Sequence, residues 1–285
     1  MKLENKYDFV YLFDVQDGNP NGDPDNGNSP RLDAESGRGI VTDVCLKRKV
    51  RNYIQMVKDL TPPYDIFIRE KSILNNTIGE VYDSVVDENQ SKSEKTETAR
   101  EAMCARFYNV RAFGAVMSTG SKNAGQVRGP IQMTFATSID PVVVRQHCIT
   151  RMAVTSEEKS RDMDGLNMGM GRKSDIPYGL YMCKGFVSAN FAFQTGFSTE
   201  DLNLFWDALK YMFEDDRSST RGFMSPRKLI VFCHDSKFGN AYSGELFNLV
   251  KVNKKCDGSP RSFADYEITI DKNKLPKGVS IQEII

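Results

Sequence analysis

Residues 14–53 read DVQDGNPNGDPDNGNSPRLDAESGRGIVTDVCLKRKVRNY. The left end continues an aromatic, Val-rich strand, and the right end is a basic helix. Between Asp17 and Gly39 the chain is dominated by Gly, Pro, Asn, Asp and Ser. Gly reaches positive φ, Pro presets φ, and Asx side chains bond their own backbone, so this composition predicts turns. A loop of such length in a compact domain is usually functional or disordered. Directly after it, Lys47, Arg48, Lys49 and Arg51 crowd about one and a half helical turns with no acid interleaved. A helix that is merely solvated usually mixes signs on its polar face. A loop rich in amides beside such an array suits a phosphate-bearing ligand.

Working outward, Tyr7–Val15 predicts a strand. Thr42 is placed to cap a helix in which Leu46, Val50, Tyr53, Ile54 and Val57 share one face and Lys47, Arg48, Arg51 and Gln55 the other. Thr61-Pro62-Pro63 ends it, and Tyr64–Arg69 alternates as a short strand. The polar segment from Ile73 to Thr98 predicts an exposed, partly helical insertion that continues as a helix through Cys104 and Phe107. Ile131–Thr137 and His147–Val154 predict two strands, and Pro177–Ala189 a third. Between the last two lies a polar excursion, Thr155–Asp175, the expected tip of an extended hairpin. Ser198 to Asp201 forms a capping box with Asp at its third position. Leu202, Phe205, Trp206, Leu209, Met212 and Phe213 follow at helical spacing. Lys228–Cys233, Phe247–Val252 and Tyr266–Ile270 are the remaining expected strands. Without insertions the order is strand, helix, strand, strand, helix, strand. This is the α+β, ferredoxin-like βαββαβ unit that also underlies RNA-recognition modules.

The 285 residues carry a net charge of +0, with 40% hydrophobic and 27% charged residues. That is a soluble globular composition, with chain enough for one substantial core. It excludes a uniformly basic nucleic-acid coat, so any such contact must be local. Cys45, Cys104, Cys148, Cys183, Cys233 and Cys256 show neither a C-x-x-C pair nor zinc-finger spacing. With no signal-peptide core at the N-terminus and no membrane-length apolar run, they read as reduced thiols of a cytoplasmic protein.

Other chemistries fit less well. Asp17, Asn19, Asn21 and Gly22 match the start of a calcium loop, but Asn28 stands where the bidentate Glu must close it. His147 and His234 sit in strand-like stretches, as satisfied structural histidines do. There is no G-x-S-x-G elbow, P-loop or H-E-x-x-H. Asp23 and Asp25 could hold a metal for phosphodiester cleavage, although aspartates beside Pro24 are more simply turn formers. Arg111–Val116 and Lys184–Phe186 are fragments of an RNA-recognition strand motif that lack its later aromatic. Gln126 and Arg128 precede the Gly129-Pro130 turn. At the hairpin tip, Met163, Met168 and Met170 lie beside Arg172 and Lys173, and apolar wedges next to cations are how proteins unstack nucleic-acid strands.

The block DVQDGNPNGDPDNGNSPRLD, running into TDVCLKRKVRNY, resembles the N-terminal signature of the Cascade backbone subunit of type I-C CRISPR systems. That is the Csd-type branch of the Cas-seven family. RAFGAVMS, GQVRGPIQMTFA, ITRMAV, PYGLY, FWDALKYMFEDDRS, SPRKLIVF and RSFADYEITI extend the resemblance, in order, over nearly the whole chain. It implies one domain over residues 1–285, with an RNA-recognition-type palm, a helical fingers insertion at 70–107 and a β-hairpin thumb whose tip spans 155–176. It implies a non-catalytic subunit without a cofactor. Copies would stack head to tail on a CRISPR RNA, with Cas-five-type, large and small subunits as further partners. The guide would be presented for pairing with target DNA. By the same resemblance Lys47, Arg48 and Arg51, with the loop around Asn21 and Arg31, grip guide phosphates. Gln126, Arg128, Arg172 and Lys173 join them, and Met168 and Met170 form the thumb wedge. The competing expectation is a metal-dependent ribonuclease of related fold that uses an aspartate of the 14–41 loop.

Overall fold

Tyr7–Gly18 forms strand β1, and nearly every side chain along it is buried. Alternate residues of a strand point to opposite faces of its sheet. Phe9, Tyr11, Phe13 and Val15 enter one core, and Val10 and Leu12 the other. This double burial explains the almost unbroken apolar run in YDFVYLFDV.

In a computed structural model, residues 1–151, 153 and 169–285 are described. After β1 come β2 (Gly22–Asp23), β3 (Ser29–Pro30), β4 (Arg38–Val41), α1 (Asp43–Lys58), α2 (Leu74–Val85), α3 (Lys92–Arg106) and α4 (Tyr108–Phe113). Next are β5 (Gly114–Val116), β6 (Gln126–Arg128), β7 (Ile131–Met133), β8 (Ala136–Pro141), β9 (Arg145–Arg151) and β10 (Gly169–Val187). The chain closes with α5 (Ala189–Thr195), α6 (Thr199–Tyr211), β11 (Phe223–His234), α7 (Ser243–Asn248), β12 (Val250–Lys254), β13 (Tyr266–Ile270) and β14 (Val279–Glu283). The main sheet is antiparallel in the order β14-β11-β1-β10-β8-β4, with β7 and β9 also paired to β10. The molecule is thus mixed α/β with one large antiparallel sheet.

On one face of the sheet, Leu46, Val50 and Ile54 of α1 and Leu202, Phe205 and Leu209 of α6 close the larger core. On the other, Leu246 and Phe247 of α7 with Val250 and Tyr266 close a second. A third, smaller core lies in the insertion, where Ile78 and Val81 of α2 meet Ala99 and Met103 of α3. Thr42 caps α1 by accepting from the Cys45 amide at 3.3 Å. Both hydrogen bonds of the Ser198–Asp201 capping box are made.

Several sequence expectations change, and Ile131–Thr137 is two strands, β7 and β8, rather than one. Tyr64–Arg69 is not a strand. Its backbone touches a neighbour through one isolated bridge, Asp65 to Phe107, and Ile66 and Phe67 are buried as anchors. Ala189 leaves the sheet to begin α5, capped by Ser188. Phe247 belongs to α7, and the strand there starts at Val250. The expected loop after β1 is folded into the β2–β3 hairpin, a single 3-10 turn at Pro24–Asn26, and β4. Local Asx and Pro chemistry supplies the turns, but only the tertiary sheet edge could place β4.

Arg111 of α4 is buried against Asp201, with Nη2–Oδ1 at 2.7 Å and Nε–Oδ2 at 2.9 Å. The fork joins α4 to α6 and removes Arg111 from any role as an exposed RNA contact. Removing one partner of a buried pair strands the other charge, so Asp201→Ala is expected to destabilise the fold by about 3–5 kcal/mol in urea unfolding. Burial pushes the Cys104 and Cys183 thiols up to about 11 and about 12, whereas Cys148 lies exposed on β9. A maleimide at pH 8 should therefore modify Cys148 first and leave Cys104 and Cys183 unmodified in the native protein, as read by mass spectrometry.

Candidate nucleic-acid interface

The groove forms where β1 ends. A Cβ on Gly18 would overlap the Arg221 carbonyl, and Gly222 answers with φ +62. The loop before β11 therefore lies directly against the exit of β1, tied by Asn19 N–H donating to Thr220 O at 2.8 Å. The Asn21 carboxamide oxygen accepts from both the amide and the hydroxyl of Thr42, each at 2.9 Å. One side chain thus fastens the loop to the N-terminus of α1, the end whose free amides and dipole favour anions.

A groove of about 680 Å³ results, walled by Asn19, Asn21, Asn28, the N-terminal half of α1, Ser218, Thr220 and Arg221. Among the described residues Arg31, Arg48, Lys49, Arg51 and Arg221 line it, against the single carboxylate of Asp216. Asp216 is already engaged by Lys49, and by Arg221 at 2.8 Å. Arg31 lies 3.3 Å from Asp23, and its Nε has no partner among the described residues. Arg48 reaches Glu70 only at 3.9 Å, both groups well exposed. Among the described residues Arg51 makes no ion pair. Burial, and then the charge of Arg48, lower its pKa. Burial also lowers the pKa of Lys49, against the pull of Cys45 and Asp216.

Of the expected contacts, Asn21, Arg31, Arg48 and Arg51 therefore converge. Lys47 does not: it pairs with Asp43 at 2.9 Å and lies over the Phe113 ring, on another side of the helix. The run of cations that looks uniform in sequence is divided by helical geometry, with Lys47 and Lys49 each bound to an acid. Gln126 and Arg128 stand apart on β6, in a recess shared with Glu97, Arg100 and Glu101, where Arg128 lies 4.6 Å from the Phe191 ring. Arg172 and Lys173 are on the β9–β10 hairpin opposite Cys148 and His147, and Met170 there is 81% exposed. Met163, Met168 and most of the expected hairpin tip lie outside the described residues. Arg221 was not recognisable in sequence. It sits some 170 residues from the helix it faces, and its only local signal is a common Arg-Gly turn.

The acidic candidates have structural tasks. Asp23 accepts from the Asp25 amide at 3.4 Å at the start of the 3-10 turn, as well as facing Arg31. No group of three or more His, Cys, Asp or Glu side chains that could hold a metal is found among the described residues. His234 is buried between Asp8, at 2.8 Å from its Nε2, and the Asn240 amide, which donates to its Nδ1. His147 is instead half-exposed on β9, with its Nε2 3.1 Å from Asp175. No helix among the described residues is long and apolar enough to cross a membrane.

Comparison with known proteins gives a consistent picture. A CRISPR-associated protein Cas7 of Haloferax volcanii is 26% identical over 297 residues, covering 96% of this chain and 83% of the relative. A chain of a solved CRISPR RNA-guided surveillance complex in a pre-nicking state superimposes with a TM-score of 0.52. It is 13% identical and covers 80% of this chain and 78% of that one, a likeness of fold. The profile of the CRISPR-associated protein Cas7 family matches residues 5–271, and the chain belongs to that family.

Proposed function

We propose that this chain is the non-catalytic backbone subunit of a type I-C Cascade complex, which holds a CRISPR RNA by its phosphates and stacks on copies of itself along it. The observation that carries the reading is the groove in which Arg31, Arg48, Arg51 and Arg221 face inward against one already engaged carboxylate. Polyanion backbone is the ligand such a site suits, since cations gripping phosphates leave base edges free. Family membership and the fold likeness to a surveillance complex support the same reading.

The fold reading accompanies it. The strand order β11-β1-β10-β8, with α1 and α6 packed on one face, supports reading the sheet as a ferredoxin-like, RNA-recognition-type palm. The insertion with its own small core serves as the fingers over 70–107, and the β9–β10 hairpin as the root of a thumb at 155–176. In this reading the thumb displaces guide nucleotides at intervals, and the bases between them pair with target DNA. Cas-five-type, large and small subunits complete a cytoplasmic complex. An open head-to-tail stack ends where its ligand ends.

Two outcomes test it. Reversing Arg48, Arg51 and Arg221 to Glu should weaken RNA binding for every sequence. It should also flatten the log–log salt dependence by roughly 0.7 per lost phosphate contact. Lys47→Glu should change the slope little, because Lys47 lies outside the groove, and an unchanged slope in the triple variant removes the groove from the RNA path. For the competing ribonuclease, Asp23→Ala is the discriminating variant. Radiolabelled RNA incubated with divalent metal should remain intact with both the parent and Asp23→Ala, whereas cleavage by the parent that the substitution abolishes would establish an enzyme.

A further inference from the structure

We propose that Arg145 is a positioning residue that fixes the direction in which the β9–β10 hairpin leaves the body of the protein, and hence where Arg172 and Lys173 stand relative to the groove. This rests on the reading of groove and hairpin as parts of one RNA-binding surface.

The need for a brace follows from the pairing. From Ile176 to Val187, β10 is held by β1; from Gly169 to Asp175 its partner is β9. Among the described residues β9 in turn pairs only with β10. A two-stranded ribbon is marginal by itself, so its direction depends on contacts at its root. The root is Asp175, directly before the last β1 pair, Gly18 with Ile176. There Arg145, the cross-strand partner of Asp175, spans two carboxylates. Its Nε lies 2.9 Å from Asp175 Oδ1, and its Nη2 lies 2.7 Å from Asp17 Oδ1 on β1. His147, two residues on and on the same face of β9, stands 3.1 Å from the other oxygen of Asp175.

Asp175 is nearly buried, and its hydrogen bonds from Arg145 and His147 outweigh burial in setting its pKa, which is lowered. Its charge is therefore held by the joint. Asp17 takes a left-handed conformation, φ 47, and lies two residues before Asn19, a wall of the groove. Ser29 of β3 adds a weak contact to Ser174 at 3.4 Å. One planar guanidinium thus ties the hairpin to the strand whose exit shapes the groove. A lysine, a single point charge, cannot reproduce that fork.

The direct test needs no RNA. Nitroxide labels at the exposed Cys148 and at Asn26→Cys, with Cys45, Cys233 and Cys256 replaced by Ser, report the distance between hairpin and loop by pulsed dipolar spectroscopy. The parent is expected to give one narrow distribution, and Arg145→Met one at least twice as wide. Asp17→Ala, a change at an exposed position that leaves the buried carboxylate paired, should broaden it too. An unchanged width in both variants overturns the proposal. A second readout uses RNA affinity. Arg172→Glu with Lys173→Glu should weaken binding at least fivefold in the parent but less than twofold in the Arg145→Met background. An equal loss in both backgrounds also overturns the proposal. If hairpin reversal has no effect in either background, the RNA role of the hairpin fails, and the distance measurement alone decides the joint.

Discussion

The burial of β1 on both faces is the constraint from which the rest follows. A strand enclosed by α1 and α6 on one side and by α7 and Tyr266 on the other can neither slide nor rotate without exposing a core. Its edges are equally committed, to β10 and β11. Its end at Gly18 is therefore a fixed point. The Arg221–Gly222 turn is seated against it, Asn21 reaches from it to Thr42, and Asp17 meets Arg145 there. Groove, helix terminus and hairpin root all meet at the exit of one strand.

That placement gives a net-neutral chain a strongly cationic site. Five cationic side chains line the groove, and the one carboxylate among them is spent on Lys49 and Arg221. Arg51 is partly desolvated beside Arg48, and both effects lower its pKa. In the proposed reading such a site would grip a backbone and tolerate any sequence. Readout by base pairing requires that tolerance.

Much of this was legible in the sequence because it is local. The apolar period of α1 and α6, the Thr42 cap, the Ser198–Asp201 box and the turn chemistry after β1 are encoded within a few residues of where they act. What was not legible depends on contacts distant in sequence. Tyr64–Arg69 alternates like a strand but is used as a buried anchor, and Phe247 is apolar enough for strand or helix until α7 is seen packed on the sheet. The groove was half legible. Asn21, Arg31, Arg48 and Arg51 could be proposed from loop and helix, whereas Lys47 lies on another side of the helix, paired with Asp43 four residues earlier. Arg221 and Arg145 carry no local mark, since each acquires its setting from a strand over a hundred residues away.

The central claim, that this fold holds RNA through its own cationic groove, is tested most directly by purifying the protein alone without nuclease. Its 260/280 nm absorbance ratio and its elution volume are then recorded before and after RNase. The account predicts nucleic-acid-rich material of high mass that collapses toward the monomer on digestion. Clean monomer, free of RNA both as purified and after incubation with added RNA, would contradict it.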